Sequence, residues 1–159
     1  MPNLDATDHQ ILALLQQDAK LNVNDIAQQL NLTKTPIYER IKRLEKSGVI
    51  DKYVALVNRQ KFTPSIVVFL TGSLKVSKFD ETQDFYDAVM QIDEVLECYL
   101  LGGEKDFMLK VIARDLNSYH EFYSAKIGSI PHVGEIKSSF VLKEVKYNTM
   151  IPNMSLKED

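Results

Sequence analysis

The hydrophobic period of this chain changes once, near Asp51, and that change divides it into two folding units. Before it, apolar residues recur at helical spacing. In Asp8 to Asp18, Ile11, Leu12, Leu14 and Leu15 leave one face polar, the pattern of an amphipathic helix. Asn22 can cap a second helix in which Val23, Ile26, Ala27 and Leu30 fall at i, i+3, i+4 and i+7. Asn31 follows where the chain must turn sharply, and Asn tolerates the left-handed conformation better than most residues. Thr33 can cap a third helix with Pro36 in its first turn, Ile37, Ile41 and Leu44 on one face, and Gly48 at its end.

After Asp51 the period becomes that of strands. Tyr53 to Val57 reads as a short strand and Asn58 to Pro64 as a polar connector. Ser65 to Val76 is a strand rich in β-branched and aromatic residues. Asp80 to Ile92 is a helix with Phe85, Ala88, Val89 and Ile92 inward. Val95 to Leu101 is a strand, and Gly102 to Lys105 turns it into Asp106 to Ala113. Asp115 caps a helix running to about Gly128, and Glu135 to Val145 is the last strand. The order βαββαβ predicts a ferredoxin-like α/β sandwich. Its two helices cover one face of the sheet. Val67 to Leu70 and Phe107 to Leu109 put apolar residues on both faces, so the other face calls for a second copy, packed sheet on sheet. The predicted boundaries are 1–52 for the helical domain, 53–63 for a hinge strand and linker, 64–147 for the sandwich, and 148–159 for a polar, loose tail.

Composition narrows the function classes. The chain has 159 residues, 45% of them hydrophobic, as an ordinary globular protein does. One cysteine, Cys98, excludes an internal disulfide framework and a thiolate-rich metal site. His9, His120 and His132 have no ligand spacing, so no metal and no cofactor are expected. The longest apolar run, Ile66 to Leu70, is too short for a membrane span, and the start lacks the marks of a secretory signal, so the expected location is the cytoplasm. No catalytic constellation stands out among the carboxylates, serines and histidines.

The net charge of −3 argues at first against a polyanionic partner. By segment it does not. Residues 1–52 hold seven basic and seven acidic groups, while the third helix alone carries Lys34, Arg40, Lys42, Arg43 and Lys46 against Glu39 and Glu45. Thr35, Tyr38, Glu39 and Lys42 lie on its outer face. If it enters a major groove, these groups reach phosphates and base edges. The plainer reading is a solvated basic helix in a three-helix bundle. The short turn, the small Ala27 at the helix crossing and the charge concentrated on one helix weigh against that.

The hairpin Leu101-Gly102-Gly103-Glu104-Lys105-Asp106-Phe107 is the second candidate. Two glycines let the backbone approach a ligand, and Asp106 could accept the ammonium of an amino acid. On spacing alone an ordinary hairpin turn explains it better.

Leu4 to Asp8 with Ile11-Leu12 and Leu15-Gln16, and the whole run Asn31 to Ile50, resemble the Lrp/AsnC regulators. So do Gly103 to Phe107 and Glu144 to Lys146. The resemblance implies an α+β chain with an N-terminal winged helix-turn-helix domain, a hinge strand, and a C-terminal domain that dimerises and binds small effectors. It implies a sequence-specific regulator of transcription, with Lys34, Thr35, Tyr38, Glu39 and Lys42 near bases. Thr33 stands at the helix start, and Arg40, Arg43 and Lys46 contact phosphates or pair within the chain. It further implies an amino-acid effector at an interface between dimers, held by Leu101, Gly102, Gly103, Glu104 and Asp106, with Ser138 where some relatives use threonine. Lys105 departs from the usual aromatic or apolar residue. The implied partners are double-stranded DNA, an amino acid and further copies, as homodimers assembling to tetramers or octamers, with no membrane. Two rival readings are an architectural protein that coats DNA with little sequence preference and an enzyme like the tetrapyrrole decarboxylases of similar architecture.

Overall fold

The computed structural model of the chain describes residues 3–63, 65–75 and 79–152. Pro64 of the connector, Val76 of the first long strand and the tail from Asn153 lie outside the described residues. The chain divides into two compact units. One runs to Leu56 and takes back the segment from Lys146; the other is Val57–Val145.

The first unit holds three helices, α1 (Ala6–Gln17), α2 (Val23–Gln29) and α3 (Lys34–Lys46). α1 begins two residues earlier than the expected Asp8, because Asp5 and Asp8 form a capping box. Asn22 and Asp25 form a second box on α2. Asn31 takes the left-handed conformation, φ 53°, in the turn to α3. Thr33 sits at the N-cap of α3, but its side chain makes no cap hydrogen bond. Gly48, φ 73°, closes α3: its N–H bonds the Glu45 carbonyl at 3.1 Å and the Val49 N–H bonds Leu44 at 3.0 Å. Ile11, Ile26, Ile37 and Leu44 are fully buried between the helices.

Two departures concern the flanking segments. The expected strand at Tyr53–Val57 has no ladder partner among the described residues and is irregular, with Val54, Leu56 and Val57 all more than half exposed. A strand exists only through its neighbour. The tail, expected to be loose from 148, is held at Ile151. Its N–H bonds Gln16 Oε1 at 2.8 Å, and the Gln16 amide returns a 3.4 Å bond to its carbonyl.

In the second unit the connector contains a short helix, α4 (Arg59–Phe62), started by the Asn58 side chain, which accepts the Lys61 N–H. There follow β1 (Ile66–Leu74), α5 (Phe79–Met90), β2 (Val95–Leu100), β3 (Phe107–Ala113), α6 (Leu116–Ala125) and β4 (Val133–Phe140). A 3-10 turn at Ile127–Ser129 replaces the expected last turn of α6. β4 stops at Phe140, short of Val145: Phe140 stands opposite Val68 of β1, and one further backbone bond runs from the Val141 N–H to the Val67 carbonyl at 2.9 Å. The sheet is antiparallel in the order β2-β3-β1-β4, the ferredoxin-like arrangement.

One face of the sheet meets the helices. Val68 and Leu70 of β1 and Phe107, Leu109 and Val111 of β3 pack against Phe85 and Val89 of α5 and Phe122 of α6. The alternate residues form the other face. By register Phe69 stands beside Lys110 and Thr71 beside Met108, with Tyr99 next to Met108. Lys110 reaches Glu97 at 2.7 Å there, and Tyr99, nearly half exposed, donates to the same carboxylate.

Candidate nucleic-acid interface and effector loop

α3 sorts its residues by angle. Ile37, Ile41 and Leu44 face the core. At 100° per residue, Thr35, Glu39, Lys42 and Lys46 fall on the opposite side, flanked by Tyr38, which is half exposed. Lys42 lies 5.9 Å from the centre of the Tyr38 ring and 2.9 Å from Glu45. Glu45 is drawn below its ordinary carboxylate range chiefly by that ammonium. It also accepts the Tyr53 hydroxyl at 3.1 Å.

The two arginines do something else. Arg40 Nη1 lies 2.6 Å from Asp5 Oδ2 and 2.8 Å from Asp8 Oδ1. Arg43 Nη2 bonds both Asp8 oxygens, at 2.7 and 2.6 Å. Asp8 is fully buried. Of the two roles left open for Arg40 and Arg43, the structure places both in pairs within the chain. This clasp ties the start of α1 to α3. The signal in the sequence that could have found it is the acidic pair Asp5 and Asp8 at the start of α1.

The second candidate, between β2 and β3, is built as a braced hairpin. The Leu101 N–H bonds the Asp106 carbonyl at 2.8 Å, and the Asp106 N–H bonds the Gly72 carbonyl at 2.9 Å. Asp106 Oδ2 accepts the Leu74 N–H at 2.8 Å, where the β1–β4 register shifts. One of its oxygens is thus occupied by the fold. Lys105 crosses to Glu135 of β4 at 2.8 Å, which accounts for a lysine at this place. Gly102 and Gly103 face open space.

Gly72 was missed by the sequence reading. A Cβ there would lie 2.5 Å from Phe107 Cζ and 2.8 Å from the Glu135 carbonyl. Gly72→Ala is expected to destabilise this unit by about 1–3 kcal/mol, read as a lowered melting temperature, whereas Gly102→Ala leaves it unchanged.

Ser138 does not join the loop. It pairs in register with Leu70, on the helix-covered face, and its hydroxyl is 2.6 Å from that of Tyr119 on α6. Clefts of about 410 and 650 Å³ open at the other end of the sheet, near Ser65 and Arg59, away from the loop.

A helix-turn-helix with a free outer face, followed by a ferredoxin-like unit, is the arrangement the comparisons identify. The family model described as Lrp/AsnC ligand binding domain matches residues 67–151, and the one described as winged helix-turn-helix DNA-binding matches 4–51. The chain belongs to the Lrp/AsnC family. This Lrp/AsnC chain is 34% identical to the DNA-binding transcriptional activator DecR of Escherichia coli K12, over 94% of its own length and 98% of the relative's. Among solved structures, it is similar to a transcriptional regulator of Neisseria meningitidis in complex with L-Met, with TM-score 0.88, 33% identity, and 94% and 97% of the two chains covered. An AsnC family transcriptional regulator of Agrobacterium tumefaciens matches with TM-score 0.89 at 32% identity, over 94% and 97%. Like them, this Lrp/AsnC chain is a DNA-binding transcriptional regulator with a ligand-binding domain. None of its described helices is long and apolar enough to cross a membrane.

Proposed function

We propose that the outer face of α3 reads operator DNA in the major groove. Lys34, Thr35, Tyr38, Glu39 and Lys42 meet bases, Lys46 meets phosphate, and Thr33 brings the helix N-terminus to the backbone. The observation that carries this reading is the division of labour on α3: its arginines are spent on Asp5 and Asp8, while its other polar groups point outward. The chain acts in the cytoplasm as a regulator and not as an enzyme.

The same reading assigns the open sheet face to a homodimer. Phe69, Met108 and Tyr99 are apolar surface that a second copy would bury, and two-fold symmetry would then present two α3 helices to a two-fold site. The effector is an amino acid at the Leu101–Asp106 hairpin, as the L-Met complex of the similar Neisseria regulator suggests. Gly103 N–H would take its carboxylate, and Glu104 with the remaining Asp106 oxygen its ammonium. Leu101 and Gly102 line the approach, and Ser138 is left to Tyr119. Because the hairpin lines neither cleft of the single chain, further copies, to a tetramer or octamer, would close the site.

Thermal shift across the proteinogenic amino acids tests the effector. One of them, at a hundredfold over its dissociation constant, stabilises the protein by about 2.7 kcal/mol, and Asp106→Asn removes that gain. If no amino acid shifts the transition, the effector assignment is wrong.

A further inference from the structure

The clasp between α1 and α3 has a consequence for DNA affinity. As a bare helix α3 carries a formal +3. Folded, two of its cations lie against two carboxylates: Asp5 and Asp8 with Arg40 and Arg43 sum to zero. The guanidiniums are not buried. The Arg43 side chain is 56% exposed and that of Arg40 27%. Both stand on one edge of α3, three residues apart, beside the outer face. Without Asp5 and Asp8 they would be well placed to meet phosphates. Asp5 is also more than its cap requires. The cap needs only an oxygen to accept the Asp8 N–H, which Asn or Ser supplies as well. The charge of Asp5, half exposed, falls on Arg40 at 2.6 Å.

We propose that Asp5 and Asp8 are specificity-determining residues outside the recognition helix. They restrain Arg40 and Arg43 from the phosphate backbone and so lower sequence-independent affinity for DNA. Phosphate contacts hold all sequences alike, while base contacts discriminate. Withholding two cations per helix therefore raises the ratio of specific to non-specific binding at a cost in total affinity. The inference rests on the docking of α3 proposed above.

The test is fluorescence anisotropy across a range of salt concentrations, on a mixed-sequence duplex and on an operator obtained by in vitro selection. Asp5→Asn, which keeps the cap, and Asp5→Ser as a second variant, should bind the mixed-sequence duplex more tightly. Their plot of log affinity against log salt should be steeper by about 0.9 for each helix engaged. The operator gains less, so the specificity ratio falls. Asp5→Asn with Arg40→Gln returns the slope to that of the parent protein. A role in the cap alone would move the melting temperature and leave the slope where it was. Unchanged slopes in both Asp5 variants, or equal weakening on both duplexes, overturn the proposal. Lys34→Ala with Lys46→Ala separates its failure from that of the docking: if this pair leaves the slope unchanged, α3 does not dock. If it flattens the slope while the Asp5 variants do not steepen it, only the restraint is wrong.

Discussion

Replacing Lys34, Tyr38 and Lys42 together by alanine is expected to lower operator affinity at least about a hundredfold and to leave the protein folded. All three are on the exposed side of α3, and none contributes to the buried cluster of Ile11, Ile26, Ile37 and Leu44. Truncation there costs little stability, within about 0.5 kcal/mol for surface positions. The Glu45 carboxylate, which loses Lys42, keeps the Tyr53 hydroxyl. In the proposed docking Tyr38 meets a base edge, so Tyr38→Ala alone should relax discrimination at one position of the operator. The same docking sets the lysines on phosphates or base edges, so their loss should also flatten the salt dependence. Anisotropy titration with circular dichroism on the same preparations checks both halves. A triple variant that still binds the operator with parental affinity would show that another surface meets the DNA.

The second large effect lies in the clasp. Asp8→Ala removes the acceptor of three hydrogen bonds from Arg40 and Arg43, while Arg40 keeps its bond to Asp5. It also removes the carboxylate that accepts the Asp5 N–H. Breaking a buried charge pair costs about 3–5 kcal/mol. The arginines can regain water here, so about 3 kcal/mol is expected, a large share of the stability of so small a unit. Asp8→Asn, which keeps an acceptor for the cap, should lose less. Denaturant unfolding of the two variants measures the difference, and near-parental stability in Asp8→Ala would mean the clasp does not hold α1 to α3. Acid should loosen the same region. The Asp8 N–H, and after it Arg40, hold Asp5 below its ordinary value of about 3.8. A carboxylate depressed in the folded state stabilises above that value and ceases to as pH falls below it. Protection of α1 amides, taken relative to the intrinsic exchange rate at each pH, should therefore fall below about pH 3.8 in the parent, and less so in Asp5→Asn.

Much of this fold was legible because its signals are local. Asn31 and Gly48 mark left-handed turns by residue type, and Asn22 marks a helix start as a capping residue. The alternation in Val67–Leu70 and Phe107–Leu109 set both sheet faces. What escaped depends on placement in space. Arg40 and Arg43 find their partners more than thirty residues away, and a charge does not announce which pole it will meet. The strand expected at Tyr53–Val57 has the composition of a strand and no neighbour to pair with. Ser138 looked like a ligand group, yet the parity of β4 turns it to Tyr119. Asp106 was read as a ligand group and also serves the fold, by accepting the Leu74 N–H. Gly72 carried no signal at all, since the reason for it is the ring of Phe107 across the sheet.

The docking of α3 is the claim on which the rest depends, and site-specific photocrosslinking tests it most directly. A photoreactive phenylalanine at position 38 should crosslink to major-groove bases of the operator, once in each half-site. The same group at position 20, in the turn between α1 and α2, should give no base adduct. Base crosslinks from position 20 with none from position 38 would contradict the account.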